Sequence, residues 1–261
     1  MIGEEIGNVN LKHSSFALGK ENTAGIGSTV FGLNNRAVGY VSYAEGHNTE
    51  ALGEYSHAQN WTTSAIGVAS TAMGGRTVAI GQYSAASGNE TKAIGDNSVA
   101  FGYRTTVNGN NSFVAGASSL VEKPYSFVFG HASAALDEGA MVLGRECRAG
   151  GTATYSNGEW SKVETGRGQQ SFAGGLKSTA RGAQSFAFGN NATVYGTNGV
   201  AFGKDTYATS YAFAGGNASK AEAEGAIALG NGAKASAVAA VAIGDSSTKT
   251  EADYSVALGS S

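Results

Sequence analysis

The chain has 261 residues, of which 40 are glycine, one is proline and only 14% are charged. Neither a charge-rich disordered polymer nor an ordinary globular domain has this composition, so we expect a periodic structure. The net charge of -3 offers no basic surface to nucleic acid or to an anionic membrane. We therefore predict that nucleic acid is not a partner.

The motifs of enzymes and metal sites are missing from the chain. Its two Gly-Lys pairs are not followed by Ser or Thr, and its four histidines show no metal-ligand spacing. The single cysteine, Cys147, excludes a cysteine zinc site and fits a small residue in a repeat. We predict a protein that is not an enzyme and that has no cofactor and no metal.

The start of the chain, MIGEEIGNVN, lacks the basic and apolar regions of a signal peptide. No apolar run approaches the length of a transmembrane helix. The expectation is a fragment of a longer protein, or a chain that leaves its cell by another route. We interpret residues 1–13 as a lead-in to repeats that occupy 14–150.

Glycine returns at every seventh position from Gly25 to position 165, except at Asn60, Lys123, Asp137 and Thr165. Asn and Asp tolerate positive φ better than other non-glycine residues. We therefore expect a turn or bulge in left-handed conformation at each of these positions.

Each repeat has the form Ser/Thr-x-Ala/Val-x-Gly-x-x. The alternation of small and variable residues predicts a strand, and the last two residues predict a turn. Seven residues cannot hold a strand and a crossover helix, so the chain must coil as a parallel solenoid. The small residues should face inward, with their hydroxyls bonded to neighbouring backbone or to stacked hydroxyls.

Large apolar pairs occupy alternate repeats, as in SFAFG at 185 and SVALG at 255. One turn therefore contains two repeats, or about 14 residues. The predicted fold is an all-β parallel roll, or solenoid, with two short strands per turn.

The large apolar residues should point out of the roll and form a stripe too large for a monomer to expose. We predict an obligate homo-oligomer packed along this stripe. In the first third of the chain the stripe is Val38, Leu52, Ile66, Ile80 and Ile94. Near residue 95 it is expected to change to the other strand of the turn, with Val99, Phe101, Phe113, Phe127, Phe129, Met141, Leu143, Phe186, Phe188, Val200, Phe202, Ile227, Leu229, Val241, Ile243, Val256 and Leu258.

The repeat is most degraded between residues 151 and 170, a stretch that contains Trp160. We predict an inserted surface loop there. The repeats then resume and occupy residues 171–261.

Aromatic residues recur at the predicted turns. One turn carries Tyr55, Tyr83 and Tyr125, and the opposite turn carries His47, Trp61, Tyr103 and His131. Aromatic ranks can stack on sugars or anchor proteins, although they could also cap the small-residue interior. The candidate ligand contacts are Tyr55, Tyr83, Tyr125, Trp61 and Tyr103.

The repeats SVAFG at 98–102, TVAIG at 77–81, AVAIG at 240–244 and SVALG at 255–259 resemble the S-V-A-I-G repeats of the YadA-like head domain of trimeric autotransporter adhesins. The similarity extends from about residue 14 to 261. It implies a left-handed β-roll and a homotrimeric rod, with the outward Val and Ile positions as the trimer core. It also implies a bacterial cell-surface adhesin that binds a host extracellular-matrix protein or glycan, with membrane contact only through an anchor domain that this sequence does not contain.

Two further functions stay open at this point. Phage tail fibres could use similar head repeats, which would place the chain in a virion as a receptor-binding segment. Ice binding is disfavoured, because the predicted outward slots are too mixed for a regular plane of hydroxyls.

In some relatives of this family a motif matched here by Asn97, Ser98, Val99, Ala100 and Gly102 is associated with collagen binding, with Phe101 and Thr105 departing from it. The roll and the trimer core require the same residues in any case.

Overall fold

In a computed structural model that describes residues 9–10, 14–156, 159–165 and 168–259, every regular element is a β-strand. Apart from Val9–Asn10, the predicted lead-in of residues 1–13 lies outside the described residues. The chain divides into two compact units, Met1–Ser118 (unit 1) and Ser119–Ser261 (unit 2). None of the described residues forms a helix with the length and apolarity of a membrane span.

In unit 1, strands of two residues alternate with strands of five residues. In chain order they are β1 (Val9–Asn10), β2 (Phe16–Lys20), β3 (Thr23–Ala24), β4 (Thr29–Leu33), β5 (Arg36–Ala37), β6 (Tyr43–His47), β7 (Glu50–Ala51), β8 (His57–Trp61), β9 (Ser64–Ala65), β10 (Thr71–Gly75), β11 (Val78–Ala79), β12 (Ala85–Asn89), β13 (Lys92–Ala93), β14 (Val99–Tyr103), β15 (Thr106–Val107) and β16 (Phe113–Ala117).

Unit 2 repeats this alternation and interrupts it once with an antiparallel pair, β22 and β23. Its strands are β17 (Leu120–Val121), β18 (Phe127–His131), β19 (Ala134–Ala135), β20 (Met141–Arg145), β21 (Arg148–Ala149), β22 (Thr152–Ser156), β23 (Glu159–Glu164), β24 (Phe172–Leu176), β25 (Thr179–Ala180), β26 (Phe186–Asn190), β27 (Thr193–Val194), β28 (Val200–Lys204), β29 (Tyr207–Ala208), β30 (Phe213–Asn217), β31 (Lys220–Ala221), β32 (Ile227–Asn231), β33 (Lys234–Ala235), β34 (Val241–Asp245), β35 (Lys249–Thr250) and β36 (Val256–Gly259).

Outside the β22–β23 hairpin, the long strands of the described residues pair in parallel with long strands, and the short strands pair in parallel with short strands. In the long-strand sheet of unit 1, for example, Ala58 of β8 pairs with Ala72 of β10, which in turn pairs with Ala86 of β12. Each strand therefore stacks on the copy of itself one turn later. The predicted all-β parallel solenoid, with two strands per turn, is confirmed.

The interior of both units consists of small side chains. The alanines at the second position of the long strands, such as Ala44, Ala100 and Ala228, are fully buried. The Ser or Thr residues that precede the strands are also buried, as at Ser84, where the hydroxyl donates to the carbonyl of Gly81 at 2.6 Å. The prediction that the small residues face inward is confirmed.

The expectation that every inward hydroxyl is hydrogen-bonded is wrong. The buried hydroxyls that have no partner among the described residues belong to Ser56, Ser70, Thr77, Thr91, Ser171, Thr206, Ser219 and Thr250. Ala192, Ala226 and Ala240 occupy equivalent buried positions. The position therefore requires a side chain that fits the thin space between the two sheets, and it does not require a hydrogen bond in every turn.

The glycine repeat has two structural causes, of which the sequence analysis expected only one. Gly102, in a long strand, has a φ of 119°, and Asn60 has a φ of 88°, as predicted for left-handed positions. Gly53, after a short strand, has no positive φ, but a Cβ there would overlap the carbonyl oxygen of Gly67 in the next turn. Asp137 is not left-handed either, so the prediction is wrong for that class of repeat.

The stretch between β21 and β24 forms a hairpin against unit 2. Strands β22 and β23 pair in antiparallel fashion, while β20 pairs directly with β24. The side chain of Trp160 packs with Ala153 against a buried cluster of Leu120, Ala134 and Leu136. Because Leu120 and Leu136 project from the outer side of the short strands, the hairpin covers apolar surface that the roll cannot bury itself.

Candidate functional site

The outer face of the long-strand sheet carries the largest apolar side chains. In unit 2, Phe172 stacks on Phe186 with ring centroids 4.9 Å apart, and Phe188 stacks on Phe202 at 5.8 Å. These rings point away from the interior, and Phe202 remains 52% exposed. Gly174 leaves room for this stack, because a Cβ there would lie 2.7 Å from the Phe188 ring. This apolar surface is the strongest candidate for contact with another molecule.

A second apolar column follows the short strands of unit 1. It consists of Val38, Leu52, Ile66, Ile80 and Ile94, each placed directly after a short strand. Ile80 is 43% exposed, the same fraction as Phe101 on the long-strand sheet. The predicted change of strand near residue 95 therefore corresponds to two apolar columns on the two opposite sheets of the roll.

None of the predicted trimer-core residues is buried within its own chain. On the long strands the set comprises Val99, Phe101, Phe113, Phe127, Phe129, Met141, Leu143, Phe186, Phe188, Val200, Phe202, Ile227, Leu229, Val241, Ile243, Val256 and Leu258. Their place in a trimer stays a prediction.

The long-strand face of unit 1 is polar where the short-strand column is apolar, a feature that the sequence analysis missed. The hydroxyl of Tyr43 donates to Glu45 at 2.6 Å, and the Tyr43 ring lies 4.7 Å from the His57 ring. The bond to Glu45 is the main reason that the pKa of Tyr43 is raised to about 12. Burial lowers the pKa of His57, whose Nε2 has no hydrogen-bond partner among the described residues, although the charge of Glu45 partly opposes this shift.

The predicted tyrosine rank lies at the turn that follows the short strands. Tyr55 and Tyr83 share this position two turns apart in unit 1, both in left-handed conformation, and Tyr83 is 62% exposed. Tyr125 occupies the equivalent turn of unit 2 and is equally open. Sequence analysis missed Tyr211 and Tyr254, which occupy the same turn position in unit 2, because phase slips in the repeat hide their alignment.

The second predicted aromatic rank lies at the opposite turn, where the long strands end. His47, Trp61 and Tyr103 occupy the last position of long strands that stack in one register, whereas His131 has the equivalent place in unit 2. Trp61 and Tyr103 are each exposed, and each has an arginine guanidinium over its ring. The arginines were not predicted, because their position in the repeat is a variable one.

The described residues contain no group of three or more His, Cys, Asp or Glu side chains placed to hold a metal ion. Cys147 is buried in the slot that Ser133 occupies one turn earlier, and its thiol donates to the carbonyl of Gly175 at 3.2 Å. Burial raises the pKa of this thiol. Cys147 is therefore a small interior residue, as predicted.

Comparison with known protein families supplies the assignment. The family model described as "YadA head domain repeat (2 copies)" matches residues 93–119, 180–206, 212–233, 221–247 and 235–261. The matched segments are built from the alternating long and short strands described above. Together with the parallel solenoid, these matches support a YadA-like head domain. A search of curated proteins found no matching relative.

The YadA head family and the solenoid fold point to a structural, adhesin-like protein rather than to an enzyme. Residues 97–105 match the collagen-associated motif of some relatives only in part, and the roll itself accounts for most of the match. Ser98, Ala100 and Thr105 are fully buried, so a ligand cannot touch their side chains. Of the positions that the motif specifies, Asn97 and Phe101 are exposed, and Phe101 departs from the motif.

Proposed function

We propose that the head forms a homotrimer on the bacterial cell surface and attaches the cell to host-surface or extracellular-matrix molecules. The observation that carries this proposal is the apolar long-strand face of a chain matched by the YadA head family. Exposed phenylalanines such as Phe129, Phe188 and Phe202 would be an aggregation hazard on a monomer. A closed symmetric assembly buries identical faces without leaving a free copy.

The trimer core that we propose includes the apolar columns of both sheets. In a threefold ring, each chain contacts its two neighbours through two different surfaces. The long-strand residues supply one surface, and the column of Ile66, Ile80 and Ile94 in unit 1 supplies another. Both columns would then be shielded from water.

Ligand binding is assigned to the turns, because sheet faces buried in a trimer are not accessible. The proposed contacts are Tyr55, Tyr83, Tyr125, Trp61 and Tyr103, all of which are exposed. A trimer presents each of them three times, so a weak single contact is amplified by avidity.

The purified head tests this function in two measurements. We expect analytical ultracentrifugation to give three times the chain mass of 26.2 kDa. We also expect the head to bind surfaces coated with extracellular-matrix proteins or cultured host cells. A stable monomer would contradict the assembly, and binding to bacterial cells alone would support the tail-fibre alternative instead.

A further inference from the structure

One edge of unit 1 combines aromatic, cationic and amide side chains. Trp61, Gly75, Asn89 and Tyr103 occupy the last position of four stacked long strands, β8, β10, β12 and β14. The residues that follow the last three, Arg76, Glu90 and Arg104, form a parallel row in left-handed conformation. We call these seven residues the Trp61–Tyr103 patch.

Two ion pairs and two ring contacts hold the patch together. The Arg76 guanidinium carbon lies 4.9 Å from the centroid of the Trp61 ring, and that of Arg104 lies 5.1 Å from the centroid of the Tyr103 ring. Arg76 Nη1 is 3.2 Å from one oxygen of Glu90, and Arg104 Nε is 2.7 Å from the other. These contacts orient the side chains before a ligand arrives, which reduces the entropy lost on binding.

The patch carries an excess of positive charge although the whole chain is acidic. Two guanidinium groups share one carboxylate, and both keep much of their surface in water, with the side chains of Arg76 and Arg104 57% and 42% exposed. The two positive charges of Arg76 and Arg104 exceed the single negative charge of Glu90. An anionic group on a ligand would therefore be attracted to this edge.

At the centre of the patch, the side chains of Asn89 and Trp61 border the space above Gly75. Gly75 has no side chain, and a Cβ there would lie 3.2 Å from the Asn89 amide nitrogen and 3.7 Å from the Trp61 ring. Trp61 and Tyr103 are each 45% exposed. Their strands are three spacings apart, which places the two rings roughly 14 Å from one another along the sheet edge.

We propose that the Trp61–Tyr103 patch binds an acidic oligosaccharide, a specific case of the attachment function proposed above, on which it rests. The apolar face of a sugar ring packs on the exposed aromatic surface, and the Asn89 amide bonds a sugar hydroxyl. A sugar carboxylate or sulfate bonds the guanidinium groups of Arg76 and Arg104. An elongated ligand fits better than a compact one, because the functional groups follow one line across four strands.

The equivalent edge of unit 2 offers a matched control. Arg145 occupies the same strand position as Trp61 and pairs with Glu146, its Nε lying 3.1 Å from the carboxylate. Its neighbours in register, His131 and Leu176, do not provide an exposed Trp or Tyr. Replacing Arg145 therefore removes one exposed positive charge from the same kind of edge without touching the patch.

The experiment measures binding of the purified head to immobilised heparin, hyaluronan and sialylated oligosaccharides, with neutral dextran as the uncharged probe. We expect at least one acidic glycan to bind, and the dissociation constant to rise about tenfold in Trp61→Ala and in Arg76→Ala. Arg145→Ala should bind like the wild type. Circular dichroism and sedimentation confirm that each variant keeps its fold and assembly.

Three results would overturn the proposal: binding to none of these acidic glycans, equal binding to dextran, or equal losses in Arg145→Ala and Arg76→Ala. Binding to matrix proteins and host cells is measured on the same samples. If Trp61→Ala attaches to them as well as the wild type and no acidic glycan binds, the patch proposal fails while the attachment function stands. If the wild type attaches to none of these surfaces, the function itself fails.

Discussion

The contribution of a buried Ser or Thr to the stability of the roll depends on whether its hydroxyl has a hydrogen-bond partner. Thr49 and Thr91 occupy the same position before a short strand, three turns apart, and both are fully buried. The Thr49 hydroxyl donates to the side-chain oxygen of Asn35 at 2.9 Å, whereas the Thr91 hydroxyl has no partner among the described residues. A buried hydroxyl without a partner costs about 1–3 kcal/mol. Equivalent threonines therefore contribute differently to stability.

We expect Thr91→Val to raise the melting temperature, because a methyl group replaces the unpaired hydroxyl at almost constant volume. Thr49→Val should lower it, since a hydrogen bond worth about 1 kcal/mol is lost. Thermal denaturation followed by circular dichroism compares the two variants with the wild type. Equal destabilisation in both would mean that Thr91 finds a partner that the structure does not show.

Within one turn, the two strands have different roles. The long strand continues through its glycine, as at Gly102 in Val99–Tyr103, whereas the short strand ends after two residues. In unit 1 the outer faces also differ in polarity, because the long strands β6 and β8 carry Tyr43, Glu45 and His57 on theirs. Because this polar cluster contains a histidine, we expect the stability of unit 1 to depend on pH.

The lowered pKa of His57 predicts a loss of stability in acid. The unfolded chain takes up a proton near pH 6.5, while the folded chain resists it, so protons favour unfolding. The folding stability that depends on a neutral His57 is fully present above about pH 6.5 and is lost as the pH falls below that value. We expect the melting temperature to fall less between pH 8 and pH 5 for His57→Gln than for the wild type.

His47→Gln is the matched control for this measurement, because His47 lies exposed at the end of a neighbouring strand, β6. The melting temperature of His47→Gln should fall with decreasing pH as that of the wild type does. If His57→Gln and the wild type have the same pH profile, desolvation of His57 does not affect folding.

For the whole molecule, the decisive question is which faces are covered by other copies. The apolar residues lie on the long strands in most of the chain, but in unit 1 they also lie beside the short strands. Unit 1 therefore presents apolar surface on both of its sheets. Single charged substitutions can determine which side lies at a subunit contact.

We expect Phe188→Glu and Ile80→Glu both to dissociate the proposed trimer, because each places an unpaired carboxylate in a buried apolar contact. Sedimentation equilibrium measures the mass of each variant. The control is Lys204→Glu, which adds negative charge at the exposed last position of β28, at a turn outside both apolar columns, and should leave the assembly intact. An Ile80→Glu variant that stays trimeric would confine the core to the long-strand sheet.

The repeat alone determined the architecture of this protein. A period of seven with small residues at fixed positions allows only thin, stacked strands, so the inward Ala and Ser and the outward Phe and Ile follow from size. The aromatic ranks at the turns were predicted for the same reason, because positions in register share an edge.

Only the tertiary structure decided which repeat becomes the long strand and which variable residues meet. Arg76, Glu90 and Arg104 are 14 residues apart in sequence and look unrelated there, but stacking brings them into contact. Tyr43 and His57 meet in the same way. Side chains at variable positions have no periodic signal of their own, so their contacts appear only when the turns are stacked.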